Sequence, residues 1–333
     1  MTSSSSSEAV SAAGVRSASA GVALAPGAER AAGQSGMWAR LRLAAGDIKL
    51  AHSVFAMPFA VLAAFVARTV DASWGIFAGQ LALVVVCMVL ARTWAMLVNR
   101  LADRAFDAAN PRTTRRVIAS GRLSAASGRA MASACAAAFV AAASGFWVLF
   151  GNFWPTVLSV PVLGWIAFYS YTKRFTWWCH VFLGGALAAS PIAAAIAVNP
   201  SALQTAPVLW WLSGMVVLWV AGFDIIYALQ DVEFDRRSGL YSVPARLGVG
   251  RAIWMSRGLH AGAFACLVAA GLSEPRFGVV IWIGVGLVAG LLCLEHVVLA
   301  RRGQAGLDMA FFTLNGIVSC VLGVAGIVDL VLV

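Results

Sequence analysis

Asn99, Asp103 and Asp107, in the run VNRLADRAFDAANPRTTRR, present amide and carboxylate oxygens at four-residue steps, and Asp231 and Asp235 in YALQDVEFDRR repeat the pattern 128 positions later. On a helix of about 3.6 residues per turn a four-residue step drifts by only about 40°, so the first three would form one oxygen-bearing stripe about 12 Å long. Asp224, Asp231 and Asp235 would form a second stripe, with Tyr227 beside them. Oxygen ligands of this kind are hard donors suited to Mg²⁺, which commonly bridges carboxylates to substrate phosphates. With no His or Cys beside them, Zn²⁺ is a poor match. The chain has only 14 Asp and Glu in 333 residues and a formal charge of +10, so clustered carboxylates are not surface decoration. Two such clusters facing each other would hold Mg²⁺ around a diphosphate and neutralise the charge that builds on it as a C–O bond breaks. The competing reading is an interfacial salt-bridge network with Arg100, Arg104, Arg236 and Arg237.

The elements that must position these residues are membrane helices. Hydrophobic residues make up 61% of the chain, charged residues 11%, and mean hydropathy is +0.85, outside the range of soluble globular domains. Apolar windows of about 20 residues, the length that crosses ~30 Å of hydrocarbon, occur at 51–69, 74–98, 130–151, 153–171, 179–198, 207–230, 252–272, 277–300 and 307–332. The fold class is all-α integral membrane, with nine transmembrane helices. The constant offset between the two acidic motifs, each behind an even-numbered helix, predicts two pseudo-repeated four-helix halves plus one helix around a central cavity. Asp224, well inside the sixth window, needs a partner to offset its burial in hydrocarbon.

Lys and Arg gather on one side: Arg40, Arg42 and Lys49, seven Arg between 100 and 129, then Lys173, Arg174, Arg236, Arg237, Arg246, Arg251, Arg301 and Arg302. The other side offers only Arg68 and Arg276. This asymmetry predicts a multi-pass protein of the cell (inner) membrane with its N-terminus and both acidic motifs in the cytoplasm. It also accounts for the basic balance without nucleic acid, which would need a soluble basic face. The six cysteines all fall in apolar windows with no CxxC pair and read as small buried hydrophobes. Residues 1–36, rich in Ser, Ala and Gly, read as a disordered tail ahead of a membrane domain over 37–333.

The motifs resemble those of the UbiA superfamily of intramembrane aromatic prenyltransferases. Its NxxxDxxxD motif matches Asn99, Asp103 and Asp107, and its DxxxD motif matches Asp231 and Asp235. Arg112-Thr113, Arg116 and Ser120-Gly121 follow the first motif at the family's spacing. Lys173-Arg174-Phe175-Thr176 is similar to its KRxT element, Asp224 with Tyr227 to its DxxY element, and Gly239 and Ser242 to the loop after the second motif. The resemblance covers nearly all of the chain from about residue 44 and implies nine helices. It also implies that Asn99, Asp103, Asp107, Asp231 and Asp235 bind Mg²⁺ and the allylic diphosphate, that Arg112, Arg116, Lys173 and Arg237 contact phosphate with Tyr227 beside them, and that Arg174 and Asp224 serve catalysis and handling of the aromatic substrate. Two departures stand out: Arg100 where many members have Asp, and Tyr241 where 4-hydroxybenzoate enzymes often have Lys. The pattern is most similar to 4-hydroxybenzoate-polyprenyltransferase-like proteins, including the group assigned to menaquinone synthesis through futalosine. The implied activity is transfer of a polyprenyl group from its diphosphate to an aromatic acid in ubiquinone or menaquinone biosynthesis. Alternatives are prenylation of a naphthoate or haem, or a cation-coupled transporter with carboxylates at a midplane site.

Other residues have two readings each. Arg92, two turns inside the second window, is a candidate partner for Asp224 or a substrate carboxylate, or else snorkels to the interface. His52 could hydrogen-bond an aromatic acid or simply be satisfied at the interface. Trp165, Phe168, Tyr169 and Tyr227 are candidates to shield an allylic cation, against a role in ordinary membrane packing. Trp177 and Trp178 read as interface anchors, and Glu295 and His296 are expected at the headgroups.

Overall fold

The computed structural model describes residues 55–69, 71–307 and 309–332. The tail over 1–36, His52 and the early basic residues lie outside them. Among the described residues every regular element is helical: α1 (Met57–Ala67), α2 (Trp74–Ala102), α3 (Arg104–Ala109), α4 (Ala125–Phe150), α5 (Trp154–Thr172), α6 (Cys179–Val198), α7 (Val208–Tyr227), α8 (Val232–Arg237), α9 (Val243–Leu247), α10 (Val249–Ser273), α11 (Val279–Arg302) and α12 (Asn315–Leu332). Seven of the apolar helices are long and apolar enough to cross a membrane, so the chain is a multi-pass membrane protein. The other two windows are also helical. Fifteen residues of the first are described, eleven of them in α1, while α5 carries Pro161 inside it and ends in Tyr and Thr. A count of nine crossings therefore does not follow from length and composition alone.

The long helices close into a ring. α2 packs on α4 and α5, α5 leads to α6, α6 packs on α1 and α7, α7 on α10, α11 on α12, and α12 returns to α1. Two of the three most extensive pairs, α2 with α4 and α7 with α10, occupy equivalent places in the two halves. Hydrocarbon gives helices no hydrophobic reason to associate, so close packing over small residues must do so. At Gly184 an added Cβ would lie 2.4 Å from Val217 O, and at Gly323 2.6 Å from Pro58 Cβ. These contacts bring α6 against α7 and α12 against α1.

At the end of the bundle away from the acidic motifs, polar groups are tied down locally. Arg276 pairs with Glu274 (Nε to Oε1 2.8 Å) and donates to Val66 O at 2.9 Å, and Arg68 lies 3.9 Å over the Trp74 ring. Asp329, 4% exposed, accepts from Ile281 N at 2.7 Å and Val280 N at 3.3 Å. A carboxylate there satisfies amides at the start of α11 that have no helical partner.

Candidate functional site

The first acidic motif is not one unbroken helix. α2 ends at Ala102, and Asp103 sits at the junction with α3 with φ −92° and ψ 6°. Asp103 is 2% exposed. Its Oδ2 accepts from Lys173 Nζ at 2.8 Å and Asn99 Nδ2 at 3.2 Å, and its Oδ1 lies 3.5 Å from an Arg174 nitrogen that also donates to Ala102 O. Asp107 Oδ1 accepts from Arg116 at 2.7 Å, while its Oδ2 is buried with no hydrogen-bond partner. The loop then turns through Gly121, whose φ of 74° is one that side chains disfavour.

The second motif is built the same way. A 3₁₀ turn (Ala228–Asp231) follows α7, Asp231 has φ −109° and ψ 7°, and the short α8 carries Asp235. The same break at the first Asp of each motif is the structural form of the pseudo-repeat. Asp231 Oδ1 accepts from Asn110 Nδ2 at 2.9 Å and Arg112 Nε at 3.0 Å, and a second Arg112 nitrogen grips Oδ2. Arg112 also donates to Tyr227 Oη at 3.1 Å and lies 5.3 Å from that ring's centre. Partial burial disfavours the charged guanidinium, but the hydrogen bond and charge of Asp231, helped by Tyr227, outweigh it and raise the Arg112 pKa above its ordinary value. Asp235 lies beside Ser242 and within electrostatic reach of Asp231, Lys173 and His180. Asn110 and Arg112 belong to the loop of the first motif, so the two acidic clusters face one another.

Two expectations are corrected at this face. Arg237 does not join the site: its side chain is 81% exposed and points to Glu233 one turn back, at 3.6 Å. The i,i+4 spacing on a short solvent-facing helix makes that the nearest carboxylate. The competing salt-bridge network also has different members. Arg100 donates to Asn99 Oδ1 at 3.1 Å and Arg236 to Ala245 O at 3.1 Å, whereas the motif carboxylates pair with Arg112, Arg116, Lys173 and Arg174.

Asp224 is met by a residue that sequence reasoning missed. His180, near the start of α6 and 3% exposed, places Nδ1 2.7 Å from Asp224 Oδ2, and its Nε2 accepts from Val243 N at 3.2 Å. Its signal was a lone His at the head of an apolar helix behind the KRxT element. Asn110 was also missed, although an Asn before Pro behind a helix is a turn signal. Phe311 had no local signal. It lies in a π-helical turn (Met309–Leu314) and stacks on Tyr227 with ring centres 4.1 Å apart. π-Turns recur at functional sites.

A cavity of about 560 Å³ runs between α2, α4, α5 and α6, with α1 and α7 contributing, and its lining is mainly apolar. It reaches none of α10 to α12, so it lies to one side of the ring. Arg92, Ala95 and Tyr169 line it toward the acidic face, and Phe146, Pro155 and Ile196 line its deep end. Arg92 Nε is buried without a hydrogen-bond partner. Trp165 also lines the cavity, while Phe168 stacks beside Trp165 and is 41% exposed. Glu295 and His296 are not at the headgroups: Glu295 is 1% exposed and accepts from Asn315 Nδ2 at 3.3 Å, and His296 meets His260 at 3.1 Å. Asn315 also accepts from Trp219 Nε1 at 2.7 Å. An interior network offsets the cost of burying these groups, which helix periodicity alone did not reveal.

Among the described residues no three His, Cys, Asp or Glu side chains form a ready-made metal cage. The carboxylates are held apart by four cations. This arrangement suits a cation shared with an incoming phosphate, and the unpartnered Asp107 Oδ2 is an oxygen such a cation would satisfy. The site therefore combines a basic, carboxylate-bearing face for a phosphorylated head with an apolar cavity for a tail.

The UbiA prenyltransferase family model matches residues 56–317. The chain belongs to the UbiA prenyltransferase family. Among similar proteins in this family, the 4-hydroxybenzoate octaprenyltransferase of Xanthomonas campestris pv. campestris (strain B100) is 32% identical over 230 residues, 68% of this chain and 72% of the relative. The enzyme of the same description from Shewanella piezotolerans is 30% identical over 239 residues, 71% of this chain and 78% of the relative. The apo structure of a UbiA homolog from Aeropyrum pernix K1 superposes with a TM-score of 0.74 at 30% identity, covering 84% of this chain and 98% of that one. A UbiA homolog from Archaeoglobus fulgidus bound to GPP and Mg²⁺ shares the fold, with a TM-score of 0.62 at 18% identity over 87% of this chain and 99% of that one. Membership in the UbiA family sets aside the transporter reading.

Proposed function

We propose that this protein transfers a polyprenyl group from polyprenyl diphosphate to the ring of an aromatic acid of the 4-hydroxybenzoate type, in ubiquinone or menaquinone biosynthesis. The observation that carries this reading is the bridge from Asn110 and Arg112 to Asp231, which makes one clamp of the two acidic motifs. The descriptions of the relatives support the acceptor class, and the GPP and Mg²⁺ bound by a protein of the same fold support the donor and the metal.

Mg²⁺ would be held by Asn99, Asp103, Asp107, Asp231 and Asp235 and would neutralise the charge that develops on the diphosphate as its C–O bond breaks. Arg112, Arg116 and Lys173, paired with these carboxylates in the protein alone, turn to phosphate oxygens when the donor arrives, an exchange of partners that conserves charge. Arg174, shared between Asp103 and the end of α2, orients the head beside them. Tyr227, anchored by Arg112 and Phe311, borders the diphosphate. The cavity takes the isoprenoid tail and keeps water from the allylic cation. Arg92, a cation in an apolar wall about 10 Å along α2 from Asn99, receives the carboxylate of the acceptor. Asp224 takes the proton that the ring loses. The clamp faces the cytoplasmic side of the cell (inner) membrane, and residues 37–333 form the membrane domain.

Membranes containing the protein, given radiolabelled polyprenyl diphosphate, Mg²⁺ and a panel of aromatic acids with their amides, test this reading. Labelled product from a hydroxy-acid and little from its amide is expected. Absence of product with every acceptor would overturn it.

A further inference from the structure

Asp224 is held by an arrangement whose proton positions can be read from the backbone. The amide of Val243 can only donate, so His180 Nε2, 3.2 Å away, must present its lone pair. The imidazole proton is then on Nδ1, and the 2.7 Å contact to Asp224 Oδ2 is a donation to the carboxylate. A proton on Nε2 would point at the Val243 N–H within a 3% exposed side chain, where neither group could turn to water.

The placement of that ring is fixed from several directions. Val243 begins α9, which Ser242 caps by accepting from Ala245 N at 3.4 Å. Tyr241 N donates to Lys173 O at 2.7 Å, and Cys179 Sγ approaches Tyr241 O at 3.4 Å. These contacts zip the loop behind the second acidic motif to the loop that carries Lys173 and Arg174. His180 therefore links both loops to the one carboxylate of α7 that lies inside the bundle.

We propose that His180 is the positioning residue of the transfer reaction, fixing Asp224 as an oriented base through a neutral Nδ1–H donor. This rests on the prenyl-transfer reading. As the acceptor carbon bonds to the prenyl C1, the donor's C–O electron pair leaves with diphosphate. The proton on that ring carbon passes to Asp224 Oδ1, the oxygen that His180 does not hold, and the C–H electron pair restores the aromatic ring. Oriented bases of this kind contribute about 10²–10⁴-fold, and a base free to rotate loses part of that.

The two halves of the contact separate by substitution. His180→Asn places an amide N–H where Nδ1 stood and drops the acceptor for Val243, whereas His180→Gln reaches Val243 with its carbonyl and drops the donor to Asp224. The expected result is that His180→Gln lowers kcat at least about tenfold with the KM for prenyl diphosphate unchanged, while His180→Asn stays within a few-fold of wild type. A purely structural tether would give the reverse order. A double-mutant cycle with Asp224→Asn, made on protein that runs as a single species in detergent, keeps the proposal open to refutation should one variant fold poorly. His180→Gln should add little loss in the Asp224→Asn background, because the group it positions is gone. Losses that multiply, or normal kcat in His180→Gln, would overturn the role of His180 while wild-type turnover stands. Absence of turnover in wild type would instead remove the prenyl-transfer reading.

Discussion

Replacing Asp107 by Asn tests the metal reading at the atom that best supports it. Asp107 Oδ1 accepts from Arg116 at 2.7 Å, with the side chains 7% and 24% exposed. Asn has the same shape and keeps a carbonyl oxygen for Arg116, so the protein alone loses one partly screened ion pair, worth about 1 kcal/mol. Oδ2 is buried with no partner, and the substitution turns it from an anionic ligand into an N–H donor that repels a cation. Loss of one preorganised group facing developing charge costs about 2.7–4 kcal/mol, or about 10²–10³ in kcat/KM. The assay is initial-rate transfer of labelled prenyl groups in detergent across a Mg²⁺ series, beside a thermal melt of each protein. The expected result is a large loss of kcat/KM, a shift to higher Mg²⁺ demand and a melting temperature lowered by only a few degrees. Activity within about threefold of wild type at every Mg²⁺ level would take Asp107 out of the metal site. A loss matched by thermal collapse would assign it to folding.

Arg112→Lys keeps the charge but not the fork that reaches Asp231 and Tyr227 together. It should raise the KM for prenyl diphosphate about tenfold with a smaller change in kcat, in steady-state assays with the donor varied. Arg92→Met should raise the KM for the aromatic acid and erase the preference for acid over amide, while the KM for the donor stays near wild type; an unchanged acid-to-amide ratio would remove the carboxylate contact. Ala143→Phe fills the cavity beside Phe146 and should abolish use of long prenyl donors while short ones still react, as read by product mass.

The cavity and its cation lie on different levels of legibility. Arg92 drew attention in the sequence because a guanidinium two turns inside an apolar window is costly, yet the sequence did not place it in the wall of a chamber. Asp103 and Asp107 were legible as oxygen ligands at helical spacing, but the break at Asp103 was not, because Leu-Ala-Asp-Arg-Ala carries no Gly or Pro to mark it. At the break Lys173 and Arg174 reach the Asp103 carboxylate from a distant segment, and Asn99 meets it from the preceding turn. The family resemblance implied Arg237 as a phosphate contact, whereas on the exposed α8 it points to Glu233.

The sequence alone specified an all-helical membrane protein, the gathering of its basic loops on one side, and the residue types of the proposed diphosphate and metal site. Those features follow from local chemistry: apolar length, charge asymmetry and the periodicity of oxygen ligands. Tertiary structure decided which carboxylate meets which cation, that Asn110 and Arg112 bridge the two motifs, that His180 holds Asp224, that Glu295 is buried, and that the half-buried His296 meets His260. Apart from Arg116 and Asp107, nine positions apart, these pairs join residues 20 to 121 positions apart, and a spacing rule that reaches one helical turn carries no information over that distance.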